Sequence, residues 1–261
     1  MSEPVYRFAP SPNGRLHLGH AYSALLNARM AEEDGGKLLV RIEDTDTTRC
    51  TPDLARAALD DLAWLGLRWE TPVRIQSEHF ADYEKTILQL RTMGCIYPCF
   101  CSRKDAAVHA LSTRDPDGQP LYGGTCRSLG ADEADRRIAR GDQHGWRIDM
   151  RACGTPDAAV WGDAMLAKLR TGSAYHIAVV TDDAIQGVTH VVRGRDLEAA
   201  TSLHRLLQKR LGLPAPHYHH HDLITDDFGL KLSKSRKSAA LAELRAEGVT
   251  PAEVRRRLGF G

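Results

Sequence analysis

Three times before residue 95, a short apolar run gives way to a helical stripe that stops at glycine. The run Val5–Phe8 leads past Pro10 and Pro12 into a helix that carries Leu18, Tyr22, Leu25 and Ala28 on one face and ends at Gly35-Gly36. Residues 37–43 read as a buried strand, followed by a helix that begins at Pro52, carries Leu54, Ala58, Leu62 and Leu65, and stops at Gly66. Residues 73–76 form a third strand, and Tyr83, Ile87, Leu90 and Met93 mark a third helix that ends at Gly94. Strands that alternate with crossover helices specify an α/β fold built on a parallel sheet. Ligands of such sheets bind at the carboxyl ends of the strands. The stretch 7–20 and the acidic cluster Glu43, Asp44 and Asp46 fall there.

The pattern breaks from Cys95 to about Cys153, where cysteines, glycines and a polar loop at 112–119 surround a single helical segment at 132–140. This reads as an inserted module. Alternation returns over 174–193, where apolar runs at 177–180 and 188–192 flank an expected turn at Asp182-Asp183. A helix capped by Asp196 should then run through Leu203, Leu206, Leu207 and Leu211. Residues 217–224 read as a strand, 239–247 as a helix, and Thr250-Pro251-Ala252-Glu253 as a capping box with proline at the first helical position. The expected division is a first half-domain at 1–94, the insert at 95–170, a second half-domain at 171–225, and a lysine-serine loop with a helical tail at 226–261.

Thirty-five basic and 34 acidic side chains leave a formal charge of +1, so any contact with a polyanion must be local. The start Met-Ser-Glu-Pro-Val-Tyr lacks the basic and apolar regions of a signal peptide, and no apolar run is long enough to span a bilayer. These features predict a cytoplasmic protein without a membrane partner, read here as a monomer. In a reducing compartment the six cysteines are expected as thiols or metal ligands, with Cys50, Cys95 and Cys153 as structural thiols.

His17-Leu-Gly-His20 at a strand-to-helix junction, followed far downstream by Lys231-Leu-Ser-Lys234-Ser, resembles the paired signatures of class I aminoacyl-tRNA synthetases. Arg7-Phe-Ala-Pro-Ser-Pro, Arg41-Ile-Glu-Asp-Thr-Asp46 and Gly187-Val-Thr-His-Val-Val-Arg-Gly194 narrow the resemblance to the glutamyl enzymes and their glutaminyl relatives. The resemblance implies a Rossmann-like catalytic domain that joins L-glutamate to ATP with Mg2+. It implies a glutamate pocket of Arg7, Ala9, Ser11, Glu43, Tyr175 and Arg193, and ATP contacts from Pro10, His17, Gly19, His20, Lys231, Ser233 and Lys234. His17, His20 and Lys234 are the implied catalytic residues. The chemistry suits these residue types. Arginines pair with carboxylates, imidazoles and backbone N–H groups at a helix start receive phosphate, and Lys234 supplies a mobile charge for the leaving pyrophosphate.

Cys99-Phe-Cys101 and the distant Cys126 form a partial zinc signature, because a structural site wants four sulfur or nitrogen ligands. The glutamyl-queuosine branch of the family implies Tyr122 as the fourth ligand; His109 is the conventional alternative. The run His217-Tyr-His-His-His is read as a strand without metal, since alternation sends neighbouring imidazoles to opposite faces. Gly35-Gly36-Lys37 fails as a phosphate loop because Leu38 stands where serine or threonine is needed. Arg255-Arg256-Arg257 reads as a solvated face. Only a short tail follows the lysine-serine loop, so no anticodon-binding domain is expected. The resemblance is therefore to the branch whose acceptor is tRNA(Asp) bearing queuosine. A compact enzyme that esterifies a tRNA 3′ end, a non-catalytic binder of glutamyl-adenylate or tRNA, and an adenylyltransferase with a small-molecule acceptor are the alternatives.

Overall fold

The computed structural model describes residues 3–168, 174–224 and 239–261. In chain order the first half contains β1 (Val5–Phe8), α1 (Leu18–Glu33), β2 (Lys37–Ile42), α2 (Pro52–Trp64), β3 (Glu70–Ile75), α3 (Phe80–Thr92) and β4 (Ile96–Cys99). There follow α4 (Arg103–Val108), α5 (Ala131–Ala139), β5 (Gly145–Ile148), α6 (Met150–Cys153) and β6 (Met165–Ala167). The last elements are α7 (Tyr175–Ile185), β7 (His190–Gly194), α8 (Ala200–Leu211), β8 (His217–His221), α9 (Leu241–Ala246) and α10 (Pro251–Arg257). The chain divides into two units, one of residues 1–78, 185–198 and 216–261, the other of residues 79–184 and 199–215.

The first unit is built on a five-stranded sheet in the order β3-β2-β1-β7-β8, parallel throughout. β1 lies at its centre, with Tyr6 in register with Leu38 on one side and His190 on the other. Leu16, Leu25, Leu38, Val40, Leu62, Leu65, Val192, Leu241 and Val254 belong to one buried cluster of this unit. Truncating a fully buried member such as Leu62 to alanine removes transfer energy and leaves a cavity, at a cost of about 2–5 kcal/mol. The helix boundaries follow from caps. Gly35 takes φ 61° just beyond α1, a conformation that costs glycine little. Thr51 accepts the Leu54 N–H at 3.3 Å and Pro52 opens α2. Thr250 and Glu253 form the reciprocal capping box of α10 expected from the sequence.

The second unit holds α3, α7 and α8 together with an antiparallel sheet in the order β4-β5-β6. Its core gathers Tyr83, Ile87, Leu90, Ile148, Leu166, Ile177, Leu203, Leu206 and Leu207. Three expectations are corrected here. Asp182-Asp183 is no turn but lies within α7, because a helix buried on all sides presents the same continuous apolar run as a strand. Tyr83 donates its phenolic O–H to Asp182 at 2.9 Å and Thr86 bonds Thr181 at 2.9 Å, partners that let these polar groups be buried. The helix α8 starts at Ala200 rather than at Asp196, which falls in a 3-10 turn of residues Arg195–Leu197. Cys95 and Cys153, expected as thiols, form a disulfide with a Cα–Cα distance of 5.4 Å. Pairing of Ile96 with Ile148, and the bond from Asp149 N to Cys95 O at 2.8 Å, bring α6 and its cysteine back to the start of β4.

Candidate active site and metal centre

The junction between β1 and α1 is organised by its two histidines. His17 is the N-cap of α1, and its Nδ1 accepts the Gly19 N–H at 3.1 Å. His20 reciprocates, its Nδ1 accepting the His17 N–H at 3.1 Å, so two imidazoles close a capping box usually made by serine and glutamate. The rings lie 3.9 Å apart between centroids at 48°. In the neutral rings the proton therefore sits on Nε2, which makes each imidazole a donor suited to an anionic oxygen. A Cβ at position 19 would meet His17 Cε1 at 3.0 Å, so glycine is what lets the cap ring fold back over the helix start. Across the junction His17 bridges Ala240 and the Leu241 N–H donates to Leu16 O at 2.8 Å. That bridge keeps residue 240 extended and starts the helix expected at 239 two residues later.

The strands beside it carry the charges. Arg7 on β1 and Arg193 on β7 are both 5% exposed, on neighbouring strands at the carboxyl half of the sheet. Glu43 follows the last residue of β2, and its N–H donates to Pro10 O at 3.0 Å. Ser11 Oγ lies 3.6 Å from Cys50 Sγ, and burial pushes the Cys50 thiol up. Arg193 is stacked over Tyr218 of β8, with Cζ 5.3 Å from the ring centroid. His220 is opposite Arg193 in register, and burial first, then the Arg193 charge, lower its pKa.

Sequence reasoning missed the support for this cluster. Arg41, fully buried, donates from Nη2 to Glu43 Oε1 at 3.0 Å and from Nη1 to Gln186 Oε1 at 3.1 Å. Strand alternation was the available signal, because residues 41 and 43 on one strand share a face. Of the acidic neighbours, Asp44 accepts from the Ser77 N–H at 2.8 Å and the Ser77 O–H at 2.7 Å. Asp46 is held low chiefly by the Thr48 hydroxyl at 2.6 Å and also by Arg49. Both acids therefore anchor the loop after β2.

Tyr175 belongs to the other unit, where it opens α7 and its ring contacts those of His176 and His204 at 5.1 and 5.7 Å. Lys231, Ser233 and Lys234 lie outside the described residues.

The inserted module brings three sulfurs together. The Sγ atoms of Cys99, Cys101 and Cys126 all lie within 4.8 Å of one another. Cys99 ends β4 and Cys101 precedes α4, whose N-cap Ser102 accepts the Asp105 N–H at 3.2 Å. The buried Tyr122 places its hydroxyl 3.3 Å from Cys101 Sγ, and its oxygen accepts the Cys126 N–H at 2.9 Å. His109 is not in the group of mutually close ligand atoms. Burial pushes the Cys101 thiol up to about 11. Burial acts the same way on Cys126, but hydrogen bonds from Tyr122 and the Phe100 backbone overcome it and lower that thiol. Three sulfurs and one oxygen at this spacing fit a tetrahedral zinc ion.

The sequence matches the family of class I tRNA synthetases (E and Q), catalytic domain, over residues 5–260. It is 42% identical to the Glutamyl-Q tRNA(Asp) synthetase of Rhodobacter capsulatus, over 98% of this chain and 100% of that protein. Glutamate--tRNA ligase 2 of Alkalilimnicola ehrlichii is 37% identical over 95% of the chain, which spans 56% of that ligase. Among solved structures, a glutamate tRNA ligase from Elizabethkingia meningosepticum in complex with its amino acid superposes with a TM-score of 0.75 at 26% identity. The match covers 90% of this chain and 53% of that one, so the chain spans about half of the ligase. Among the described residues no helix is long and apolar enough to cross a membrane.

Proposed function

The chain belongs to the catalytic-domain family of class I glutamyl and glutaminyl tRNA synthetases, and on that premise we propose that it activates L-glutamate with Mg-ATP and transfers it to queuosine in tRNA(Asp). The observation that carries the reading is the convergence of Arg7, Glu43 and Arg193 at the carboxyl ends of β1, β2 and β7, beside the histidine-capped start of α1. In this reading Arg7 and Arg193 pair with the carboxylates of glutamate, Glu43 accepts from its ammonium group, and Ser11 adds a hydrogen bond. Ala9 is assigned to the same glutamate pocket and Pro10 to the ATP contacts.

A glutamate carboxylate oxygen attacks the α-phosphorus of ATP, the bond to the bridging oxygen breaks, and pyrophosphate departs. The Nε2–H groups of His17 and His20 and the N-terminus of α1, opened by Gly19, receive the phosphate oxygens. Lys231, Ser233 and Lys234 are assigned to the leaving pyrophosphate. A nucleophilic group of queuosine then attacks the acyl carbonyl and AMP leaves. Cys99, Cys101, Cys126 and Tyr122 would hold a structural zinc ion, which would tie the inserted module together. The enzyme is proposed to act in the cytoplasm as a monomer.

The 42% identity to the Rhodobacter Glutamyl-Q tRNA(Asp) synthetase, which extends over 98% of this chain and 100% of that protein, supports queuosine as the acceptor. Labelled glutamate supplied with queuosine-containing and queuosine-free tRNA(Asp) is the test. Label on the queuosine-containing tRNA alone is expected, together with glutamate-dependent pyrophosphate exchange in the absence of any tRNA. Label in neither tRNA, or exchange that requires tRNA(Glu), would overturn the assignment.

A further inference from the structure

The side chain of Arg147, on β5, has three anchors. Its Nε donates to Cys99 Sγ at 3.3 Å, its Cζ lies 3.9 Å from the centroid of the Tyr122 ring, and its Nη1 donates to Asp163 O at 2.8 Å. Two of these partners are proposed zinc ligands. Among the described residues Arg147 forms no ion pair with a carboxylate: the Asp163 side chain is taken by Arg127 and accepts the Tyr97 O–H and the Met150 N–H. Register across β4 and β6, with Arg147 opposite Tyr97 and Met165, fixes where the guanidinium starts.

Electrostatics explains why a cation belongs there. Three thiolates and a phenolate around a divalent ion leave a double negative charge on a partly buried site, a charge that an imidazole as fourth ligand would halve. Groups around the ligands orient them and tune the metal, and their loss typically costs about 10–100-fold in affinity. A guanidinium can donate in its plane to sulfur and stack on the phenol ring at once; an ammonium is a point charge that cannot do both.

We propose that Arg147 is a positioning residue of the metal centre: it holds Cys99 and Tyr122 in ligating geometry and offsets the surplus negative charge of a tyrosine-bearing zinc site. The proposal rests on the zinc reading given above.

The test measures zinc affinity of the full chain by competition with a chromophoric chelator, for the wild type, Arg147→Met and Arg147→Lys. The cobalt-substituted forms are compared by their thiolate-to-metal absorption. Arg147→Met is expected to bind zinc about 10–100-fold more weakly and to shift the cobalt band, with Arg147→Lys between it and the wild type because charge returns without the stack. Wild-type affinity and an unchanged cobalt band in a folded Arg147→Met protein would overturn the proposal. If that variant does not fold, Arg147→Lys decides in the same way: weaker binding supports the role and wild-type affinity removes it. A wild type that binds no zinc sinks the zinc reading itself, whereas equal zinc binding by wild type and Arg147→Met sinks only the role of Arg147.

Discussion

Arg41, near the end of β2, and Glu43, the residue just past it, form an ion pair 3.0 Å long in which the arginine is wholly buried and the carboxylate side chain is 9% exposed. The pair cannot drift, because Gln186 holds the other guanidinium nitrogen at 3.1 Å. Glu43 is thus aimed by a partner that touches no substrate in the proposed reaction. Glu43→Gln should strip the charge that receives the glutamate ammonium and leave Arg41 facing a neutral amide. The expected cost is about 3–5 kcal/mol of stability, as for any broken buried pair. Loss of one charge-assisted hydrogen bond, about 1.5–3 kcal/mol, should also raise KM for glutamate about 10–100-fold. Thermal melts and pyrophosphate exchange at graded glutamate concentrations measure the two effects; an unchanged KM would remove Glu43 from the pocket.

Gly19→Ala separates the two duties of the helix start. The new methyl group would press on the His17 ring, 3.0 Å from Cε1, and turn it from its cap position. Alanine gains about 1 kcal/mol of helix propensity over glycine, and a lost cap costs about the same. Stability should therefore stay within about 1 kcal/mol of wild type while exchange falls by about tenfold or more. A variant that keeps full activity would show that the ring position is not needed for ATP.

The identity of the fourth zinc ligand has a direct test. Tyr122→Phe keeps the ring under Arg147 but removes the oxygen that lies 3.3 Å from Cys101 Sγ. Zinc affinity should fall by about tenfold or more in this variant and stay unchanged in His109→Ala. The reverse pattern in chelator titrations would transfer the role to the histidine. Because the Cys101 thiol is pushed up to about 11 by burial and must lose its proton to bind, affinity should also fall as pH is lowered.

Asp61 gives the stability a pH dependence away from either site. This carboxyl group on α2 is 4% exposed, its Oδ2 has no hydrogen-bond partner among the described residues, and burial raises its pKa to about 6 against the opposing charges of Arg15 and Arg245. A raised value means that protonation favours the fold, so its contribution is present below pH about 4 and is lost as pH rises through about 6. Asp61→Asn should match the wild type near pH 4 and exceed it by about 1–2 kcal/mol at pH 8, after allowance for solvent screening. Denaturant melts at the two pH values check this; equal stability at pH 8 would show that Asp61 is not strained by burial.

Local signals made many of the helix ends legible. Pro52, Thr250 and the glycines after α1 and α2 act on their own neighbours, so the helix ends they set could be read without tertiary context. The charges at the strand ends were equally visible, because parallel topology sends Arg7, Glu43 and Arg193 to one edge whatever the packing details. Long-range partners were not legible. Asp182 is buried because Tyr83, ninety-nine residues earlier, supplies a donor, and no pattern around 182 announces it. Arg41 looked like any strand arginine until Gln186 arrived from 145 residues away. Cys95 and Cys153 became neighbours through the β4-β5 pairing, which the irregular module concealed.

The central strand β1 is made first and finished last. Its Val5 N–H is satisfied by Thr189 Oγ1 at 2.7 Å, across 184 residues of chain, and β8 joins β7 only at residue 217. On a ribosome, the amino-terminal strands therefore wait with an open edge while the whole inserted module is synthesised. Closing so long a loop gives the sheet a slow, non-local last step. An unpaired strand edge during that interval invites association with other chains. The order of translation itself thus sets when the strand-end cluster of Arg7, Glu43 and Arg193 first exists as a unit.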